Sequence, residues 1–292
     1  MWVTWAKVEF DFVAYTRYMV YGSDKGIGPK GYRVGEYSRI AMANDFFRPL
    51  KGMYGVMELQ PGQVNWGSIN PQPLPGAIRM YLWHVFAGGS KFTCTYRYRA
   101  PLYGYEQYHY GIVGTDGVTP TPGGKEFAQF IEEIKMLRKN YDPKAALPKA
   151  YEQRKTGILI NTDNVQGINL NKQTTEWNTE GHFLKYYKAA KSFGAPVDFV
   201  RDTTNFANYP ILIVPAYEMI DQQMIDKLTK YAENGGNLVM SCRTGIMDRQ
   251  GHLWEAKFYQ PMWKLFGAEV QSYDLLMPHS PDNIKFNNQE YT

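Results

Sequence analysis

Cysteine is almost absent from this sequence, because only Cys94 and Cys242 occur among its 292 residues. Two cysteines so far apart along the chain provide neither a disulfide framework nor the closely spaced ligands of a zinc site. We therefore expect both to be buried free thiols. The sequence predicts no metal site and no cofactor.

Long apolar runs and a secretion signal are missing as well. No stretch reaches the roughly 18 consecutive apolar residues of a membrane span. The opening residues MWVTWAKVEFDF lack the charged and apolar regions of a signal peptide. The sequence therefore predicts no membrane partner, and it leaves localisation open with the cytoplasm favoured.

The sequence also lacks a cluster of basic residues. The 32 Lys and Arg and the 28 Asp and Glu are scattered along the chain and give a net charge of +4. Nucleic-acid-binding proteins carry a concentrated basic stripe, so we expect no nucleic-acid partner. Aromatic residues, in contrast, make up 15% of the chain, and their flat rings suit both core packing and the apolar faces of sugar rings.

Strand and helix patterns alternate along the first part of the chain. Strands are predicted at residues 10–16, 54–60 and 91–99, and helices at residues 37–47, 77–87 and 125–139. Such alternation predicts parallel strands joined by right-handed crossovers. Three strands cannot close a barrel or cover both faces of a parallel sheet, so we expect the chain to be cut from a longer protein and its true N terminus to lie upstream.

The Pro-punctuated polar segment at residues 140–155 is expected to separate two domains. Beyond it, alternating strands and helices predict an open, doubly wound sheet, with Asp221 capping one helix and Gly235 ending it. We predict a first domain at residues 1–142, a linker at 143–154 and a second domain at 155–274. Residues 275–292 are expected to begin a further, truncated segment.

A single carboxylate stands out in the stretch YGVMELQPGQVNWG, residues 54–67. Glu58 ends an apolar run just before a Pro-Gly break. In a parallel strand this position lies at the carboxyl end, where α/β barrels build their active sites. Burying a carboxylate without a partner is costly, so Glu58 is expected either to act in catalysis or to pair with a neighbouring arginine. The residues alone leave both interpretations open.

Three further residues favour a site for a hydroxyl-rich ligand. Trp66 lies in the loop after Glu58, and the motif YGYEQYHYG places Glu106 and His109 in the loop after the next strand. An exposed Trp stacks on sugar rings, whereas carboxylates and imidazoles bind hydroxyl groups. A Trp folded under its own loop is the competing interpretation for Trp66.

Longer motifs connect these candidate site residues to a known family. The stretches VMELQPGQVNW, NPQPLPGAIRMYLWHVFAGGSKFTCTYRYR and YGYEQYHYGIVGTDGVTPTPGGKEF resemble the last third of the barrel of glycoside hydrolase family 42 β-galactosidases. The stretch ILIVPAYEMIDQQMIDKLTKYAENGGNLVMSCRTGIMDRQGHLWE resembles the trimerisation domain of that family. The resemblance covers residues 10–270. It implies the C-terminal portion of a TIM (β/α)8 barrel, then a flavodoxin-like or amidotransferase-like doubly wound α/β domain, and a homotrimer.

The resemblance also implies a retaining hydrolase that cleaves terminal β-D-galactosyl residues from galactosides. Glu58 matches the nucleophile in the family motif MEQ-P-G--NW, although Leu59 follows it here. Trp66 matches the wall of the galactose subsite, and Glu106 and His109 match residues that bind sugar hydroxyls. Thr16 stands where the first strand of this region in the family usually has an aspartate.

The catalytic acid/base of the family lies in an Asn-Glu pair on an earlier strand. No Asn-Glu pair precedes Glu58 in this sequence. We therefore expect the acid/base to be missing from this chain and the fragment alone to be inactive. The linkage and size of the substrate, and a preference for galactose over arabinopyranose, stay open.

Two other functions compete with this interpretation. A thiol hydrolase would use Cys242 at a strand end, but MSCRTG lacks the small-residue turn around the nucleophile, and His182 and His252 lie in a predicted helix and an ordinary turn. The stronger alternative is a non-catalytic sugar-binding or oligomerisation module derived from such an enzyme.

Overall fold

The first part of the chain forms a small parallel sheet. The computed structural model describes residues 11–22, 29–50, 53–140, 142, 145, 148–276 and 283–291. Its first elements are β1 (Phe12–Arg17), α1 (Ser38–Phe47), β2 (Met53–Leu59), α2 (Ala77–Ala87), β3 (Thr93–Thr95) and α3 (Pro122–Leu137). Strand β2 lies between β1 and β3, and both pairings are parallel, as predicted.

The core of this part lies between the sheet and the helices, because alternate side chains of each strand point to that face. Its buried apolar residues are Tyr15, Met19, Val20, Ile40, Ala43, Tyr54, Val56, Leu59, Ala77, Ile78, Tyr81, Leu82 and Val85. The opposite face carries Phe12, Met53 and Met57, which are 38–45% exposed. Among the described residues this face is open, as expected for strands taken from a larger barrel.

Several element boundaries differ from the predictions, and the largest differences are in β3 and at the start of α3. The predicted strand at residues 91–99 is confined to Thr93–Thr95, because β2 ends at Leu59, opposite Thr95, and no longer lies beside the residues that follow. Helix α3 begins at Pro122 instead of residue 125. Its N-cap Thr121 accepts a hydrogen bond from the main-chain N–H of Gly124 at 3.1 Å, and proline suits a first helical turn.

The second part is a doubly wound α/β domain. Its strands are β4 (Thr156–Leu159), β5 (Val197–Val200), β6 (Ile211–Val214) and β7 (Asn237–Met240). They are all parallel and lie in the order β5-β4-β6-β7. The helices are α4 (Lys149–Glu152), α5 (Thr162–Leu170), α6 (Thr179–Ser192), α7 (Gln222–Glu233) and α8 (Trp263–Phe266). Asp221 caps α7 as predicted, accepting a hydrogen bond from the N–H of Met224 at 2.8 Å.

The predicted domain boundaries fall partly on residues outside the description. Within the predicted linker, residues 143, 144, 146 and 147 are not described, and α4 occupies part of the remainder. In the C-terminal segment, β8 (Ile284–Phe286) and β9 (Gln289–Tyr291) form an antiparallel pair, and residues 277–282 lie outside the described residues. The boundaries at 142, 155 and 274 therefore stay a prediction.

Helix α1 docks the two parts onto each other. Ile40 and Ala43 lie in the core of the first part, whereas Met42 and Phe46 lie in a core of the second part. Asp45 of the same helix is buried and accepts a hydrogen bond from the Tyr187 hydroxyl of α6 at 2.7 Å. One helix thus belongs to both cores, and it also connects the strands β1 and β2.

Candidate active site

Glu58 lies one residue before the carboxyl end of β2, half-buried between the two neighbouring strands. Across the sheet it is opposite Thr16, at the end of β1. The Tyr18 hydroxyl donates a hydrogen bond to Glu58 Oε2 at 2.9 Å. The partner of this carboxylate is therefore a phenol rather than the arginine of the competing sequence interpretation.

The Tyr18 phenol is held in its protonated, hydrogen-bond-donating form. Burial is the main cause that raises its pKa, and the hydrogen bond to Glu58 and the charge of that carboxylate raise it further. At neutral pH Tyr18 therefore keeps its proton and donates a hydrogen bond to the carboxylate.

Trp66 lies beside this pair with much of its ring accessible. The indole is 42% exposed, and its ring meets the Tyr18 ring edge to face at a centroid distance of 5.0 Å. The Tyr21 ring lies 5.4 Å away on a tilted plane. Trp66 is therefore not folded under its own loop, and its exposed surface is available for stacking near Glu58.

His109 is buried among aromatic rings, with only 1% of its surface exposed. Its ring lies 5.9 Å from the ring of Tyr18 and 5.3 Å from that of Tyr96, both edge to face. Within the described part of the chain, neither ring nitrogen has a hydrogen-bond partner of good geometry. Buried polar atoms are normally hydrogen-bonded, so this imidazole has unused hydrogen-bonding capacity.

The protonation state of His109 follows from its surroundings. Burial lowers its pKa, and the nearby Arg97 guanidinium lowers it further; the charge of Glu58 and the main chain of Tyr96 only partly oppose this. The ring is therefore neutral at pH 7. It offers one donor and one acceptor, the combination that binds a sugar hydroxyl.

Glu106 is already engaged by neighbouring side chains. Its Oε2 forms an ion pair with Arg97 and accepts a hydrogen bond from the Tyr96 hydroxyl at 2.8 Å. The Arg97 guanidinium also lies over the Tyr96 ring, 4.4 Å from its centroid. These contacts hold the carboxylate at a fixed angle, and Oε1 accepts no bond from the described residues.

The structure thus brings all four predicted site residues into one region, at the carboxyl ends of β2 and β3. Glu58, Trp66 and His109 surround the Tyr18 ring, and Glu106 joins them through Tyr96. Sequence reasoning did not assign roles to Tyr18, Tyr96 or Arg97. In the sequence, Tyr18 follows the predicted first strand, and Tyr96 and Arg97 lie near the end of the predicted strand at residues 91–99. Neither position separates them from the many other aromatic and basic residues.

The expectation of buried thiols is wrong, because Cys94 and Cys242 are both exposed. Cys94 lies on β3, at the margin of the open sheet, and Cys242 follows the edge strand β7. Partial burial of the Cys242 thiol raises its pKa, and His182 hydrogen-bonds Ser241 at 3.0 Å instead of this cysteine. A thiolate nucleophile at Cys242 therefore lacks support.

Within the residues that the structure describes, no three His, Cys, Asp or Glu side chains are grouped so that they could hold a metal ion. None of the described helices is both long enough and apolar enough to cross a bilayer.

Comparison with known sequences identifies two matching regions. A family model described as beta-galactosidase matches residues 2–137, and one described as the beta-galactosidase trimerisation domain matches residues 154–292. The β-galactosidase BgaH of Haloferax lucentense is 29% identical over 89% of this chain and 37% of its own length. LacZ of Lactobacillus acidophilus is 24% identical over 98% of this chain and 40% of its own length. The chain therefore spans only 37–40% of these relatives.

Solved structures show the same fold. The β-galactosidase of Halorubrum lacusprofundi superposes with a TM-score of 0.76 at 27% identity, over 87% of this chain and 37% of that protein. The β-galactosidase of Marinomonas ef1 gives 0.77 at 25% identity, over 94% and 42%. The first sheet is thus a portion of a TIM barrel, and the second part is the doubly wound domain that follows it. Since models of one family match both parts, the chain belongs to glycoside hydrolase family 42, the β-galactosidase family.

Proposed function

We propose that the complete enzyme containing this chain is a retaining glycosidase that removes terminal β-D-galactosyl residues, with Glu58 as its nucleophile. The observation that carries the proposal is the placement of Glu58 at the end of a parallel strand, where Tyr18 bonds it and Trp66 and His109 flank it. Barrel enzymes carry their catalytic groups at this end of the sheet. The names of the relatives support β-galactosides as the substrate class.

In this mechanism Glu58 attacks the anomeric carbon of the galactosyl unit. The bond from that carbon to the leaving oxygen breaks, a second carboxyl group protonates this oxygen, and a galactosyl ester of Glu58 forms. The second group then removes a proton from water, which attacks the same carbon and releases galactose and the Glu58 carboxylate. Two displacements retain the anomeric configuration.

The second carboxyl group of a retaining enzyme lies about 5–5.5 Å from the nucleophile. We assign it to a part of the complete enzyme outside residues 1–292, because no Asn-Glu pair precedes Glu58. The contacts of Glu106 favour binding over acid catalysis, since its Oε2 is paired with Arg97. An ion-paired carboxylate is a poor proton donor at neutral pH.

The remaining side chains position the sugar in this proposal. Trp66 stacks on the apolar face of the galactosyl ring through its exposed surface. The His109 nitrogens and Oε1 of Glu106, which have no hydrogen-bond partner among the described residues, bind hydroxyl groups. Tyr18 bonds Oε2 of Glu58, which orients the carboxylate so that Oε1 is the attacking atom.

Assembly is a further part of the proposal. The match of residues 154–292 to a trimerisation domain supports a homotrimer built through the second part of the chain. Light scattering on the complete enzyme at micromolar concentration should give the mass of a trimer. A strict monomer under these conditions would contradict this assignment.

The role of Glu58 is tested by Glu58→Ala in the complete enzyme. The variant should lose hydrolysis of 4-nitrophenyl β-galactoside. Added azide should restore turnover by attacking the anomeric carbon from the vacated side, so the product is α-galactosyl azide. The matched control is Glu132→Ala, which removes an exposed carboxylate of α3 that pairs with Lys135. A β-galactosyl azide product would instead mark Glu58 as the acid/base and overturn the assignment.

A further inference from the structure

Gln60 is a fully buried amide two residues after the candidate nucleophile. Its Oε1 accepts hydrogen bonds from the main-chain N–H groups of Met19 and Val20, both at 2.8 Å. Its Nε2 donates to the carbonyl oxygens of Val20 and Gly62, both at 2.9 Å. A side-chain amide offers two acceptor and two donor positions, so Gln60 uses all of its hydrogen-bonding capacity.

These bonds fix the main chain that follows Tyr18. The main-chain N–H of Gln60 donates to the carbonyl of Arg17 at 3.3 Å, so residues 17–20 are held along the end of β2. Gly35 closes the other side, because a Cβ at that position would overlap the carbonyl oxygen of Met19. With its main chain held, Tyr18 keeps only its side-chain torsions to vary.

The same amide reaches the loop that carries Trp66. Its bond to Gly62 ties the start of that loop to Val20, which shares the same Nε2 donor. The Trp66 and Tyr18 rings then meet edge to face at 5.0 Å. One buried side chain therefore sets the spacing of the two loops that flank Glu58.

We propose that Gln60 is a positioning residue, which acts through the main chain of Met19 and Val20 to place the Tyr18 phenol on Glu58. The inference rests on the proposed function, because it concerns the nucleophile of that reaction. Gln60 is fully buried, and its side chain bonds main-chain groups rather than Glu58 itself. A glutamate could accept the two N–H groups but could not donate to the carbonyls, and a methionine could do neither.

Loss of the Gln60 bonds should therefore have the same consequence as loss of the Tyr18 hydroxyl. Removing a hydrogen bond to a charged group corresponds to a loss of about 10- to 100-fold in kcat/KM. We expect Gln60→Met and Tyr18→Phe each to show a loss of this size, mainly in kcat. The two losses should not multiply, because both changes remove one and the same hydrogen bond.

The experiment is a double-mutant cycle in the complete enzyme with 4-nitrophenyl β-galactoside. It compares the wild type, Tyr18→Phe, Gln60→Met and the double variant. Asn164→Leu is the matched control, because Asn164 is also a buried amide that bonds the N–H and carbonyl of one residue, Met219, but in the second domain. The Tm of each variant is measured by thermal unfolding. The activity losses are then compared between variants whose Tm falls by the same amount.

The proposal predicts a double variant within about threefold of the single variants and a control with wild-type kcat/KM. Wild-type kcat/KM in Gln60→Met would overturn it. So would losses that multiply fully in the double variant, or an equal loss of activity in Asn164→Leu at the same Tm.

A second measurement separates this inference from the proposed function. If the wild type does not hydrolyse the galactoside, the proposed function fails, and crystal structures of the wild type and Gln60→Met then decide the role of Gln60. The distance from the Tyr18 hydroxyl to Glu58 Oε2 should increase from 2.9 Å to beyond about 3.5 Å in the variant. An unchanged distance would overturn the inference.

Discussion

At the scale of single residues, the candidate site is organised around one phenol. Tyr18 donates to Glu58, and its ring meets those of Trp66 and His109. The motifs of the sequence identify the other three residues but give Tyr18 no role, because it is one of 23 tyrosines. Its importance follows from a contact across two strands, which no local pattern of the sequence reveals.

One buried and two half-buried histidines predict a loss of stability on mild acidification. Burial lowers the pKa values of His84, His109 and His182. An unfolded histidine has a pKa of about 6.5, so below that pH the unfolded chain binds protons that the folded chain does not. The free energy of unfolding should therefore be fully retained above about pH 6.5 and fall as the pH drops toward the folded pKa values.

Chemical denaturation between about pH 7.5 and pH 5 measures this dependence. His109→Gln should make the decline shallower, because one of the three titrating groups is removed. Tyr108→Phe, a change at an exposed neighbouring ring, is the control and should keep the original slope. Identical slopes for His109→Gln and the wild type would contradict the prediction.

At the scale of elements, periodicity predicts the bounds of some helices and strands and misses others. Helix α2 has the predicted bounds, because its apolar residues repeat at helical spacing and pack on the sheet. Strand β3 is shorter than predicted, since a strand extends only as far as its neighbour. The sequence does not predict helix α5, because TDNVQGINL has little apolar periodicity. Asn161 caps this helix, and its Val165 and Ile168 are buried.

The shared helix α1 predicts a stability effect far from the site. Asp45 is the buried partner of Arg48 and of the Tyr187 hydroxyl. Asp45→Ala should lower the free energy of unfolding by about 2–3 kcal/mol, because it leaves the buried Tyr187 hydroxyl unpaired and removes one of the two carboxylates that pair with Arg48. Urea denaturation measures the change. Asp226→Ala, at an exposed position of α7, should stay within about 0.5 kcal/mol, and a similarly small effect at Asp45 would contradict the prediction.

At the scale of the whole molecule, the described residues combine a partial barrel with a second sheet of four parallel strands. The barrel face that carries Phe12, Met53 and Met57 is open among the described residues. Parallel sheets are normally covered on both faces. The relatives are more than twice as long as this chain. In the complete enzyme we expect the rest of the barrel to cover this face.

The 292-residue chain expressed alone should not hydrolyse lactose at an enzymatic rate. General acid help to the leaving group contributes about 10²- to 10⁴-fold, and the chain lacks the Asn-Glu pair that would supply it. The open sheet face should lower activity further, because it leaves the sugar site without fixed geometry on that side. Assays with lactose and with an activated aryl galactoside measure this. Lactose turnover above background by the purified chain would contradict the prediction.

The central claim, that Glu58 is the nucleophile, is tested most directly by covalent trapping. A 2-deoxy-2-fluoro-β-galactoside with a dinitrophenolate leaving group forms the glycosyl ester without acid help, and the fluorine slows its hydrolysis. Mass spectrometry of peptides from the trapped complete enzyme should find the fluorogalactosyl group on Glu58, and Glu58→Gln should abolish it. A fluorogalactosyl group on any other carboxylate of the wild-type enzyme would contradict the account.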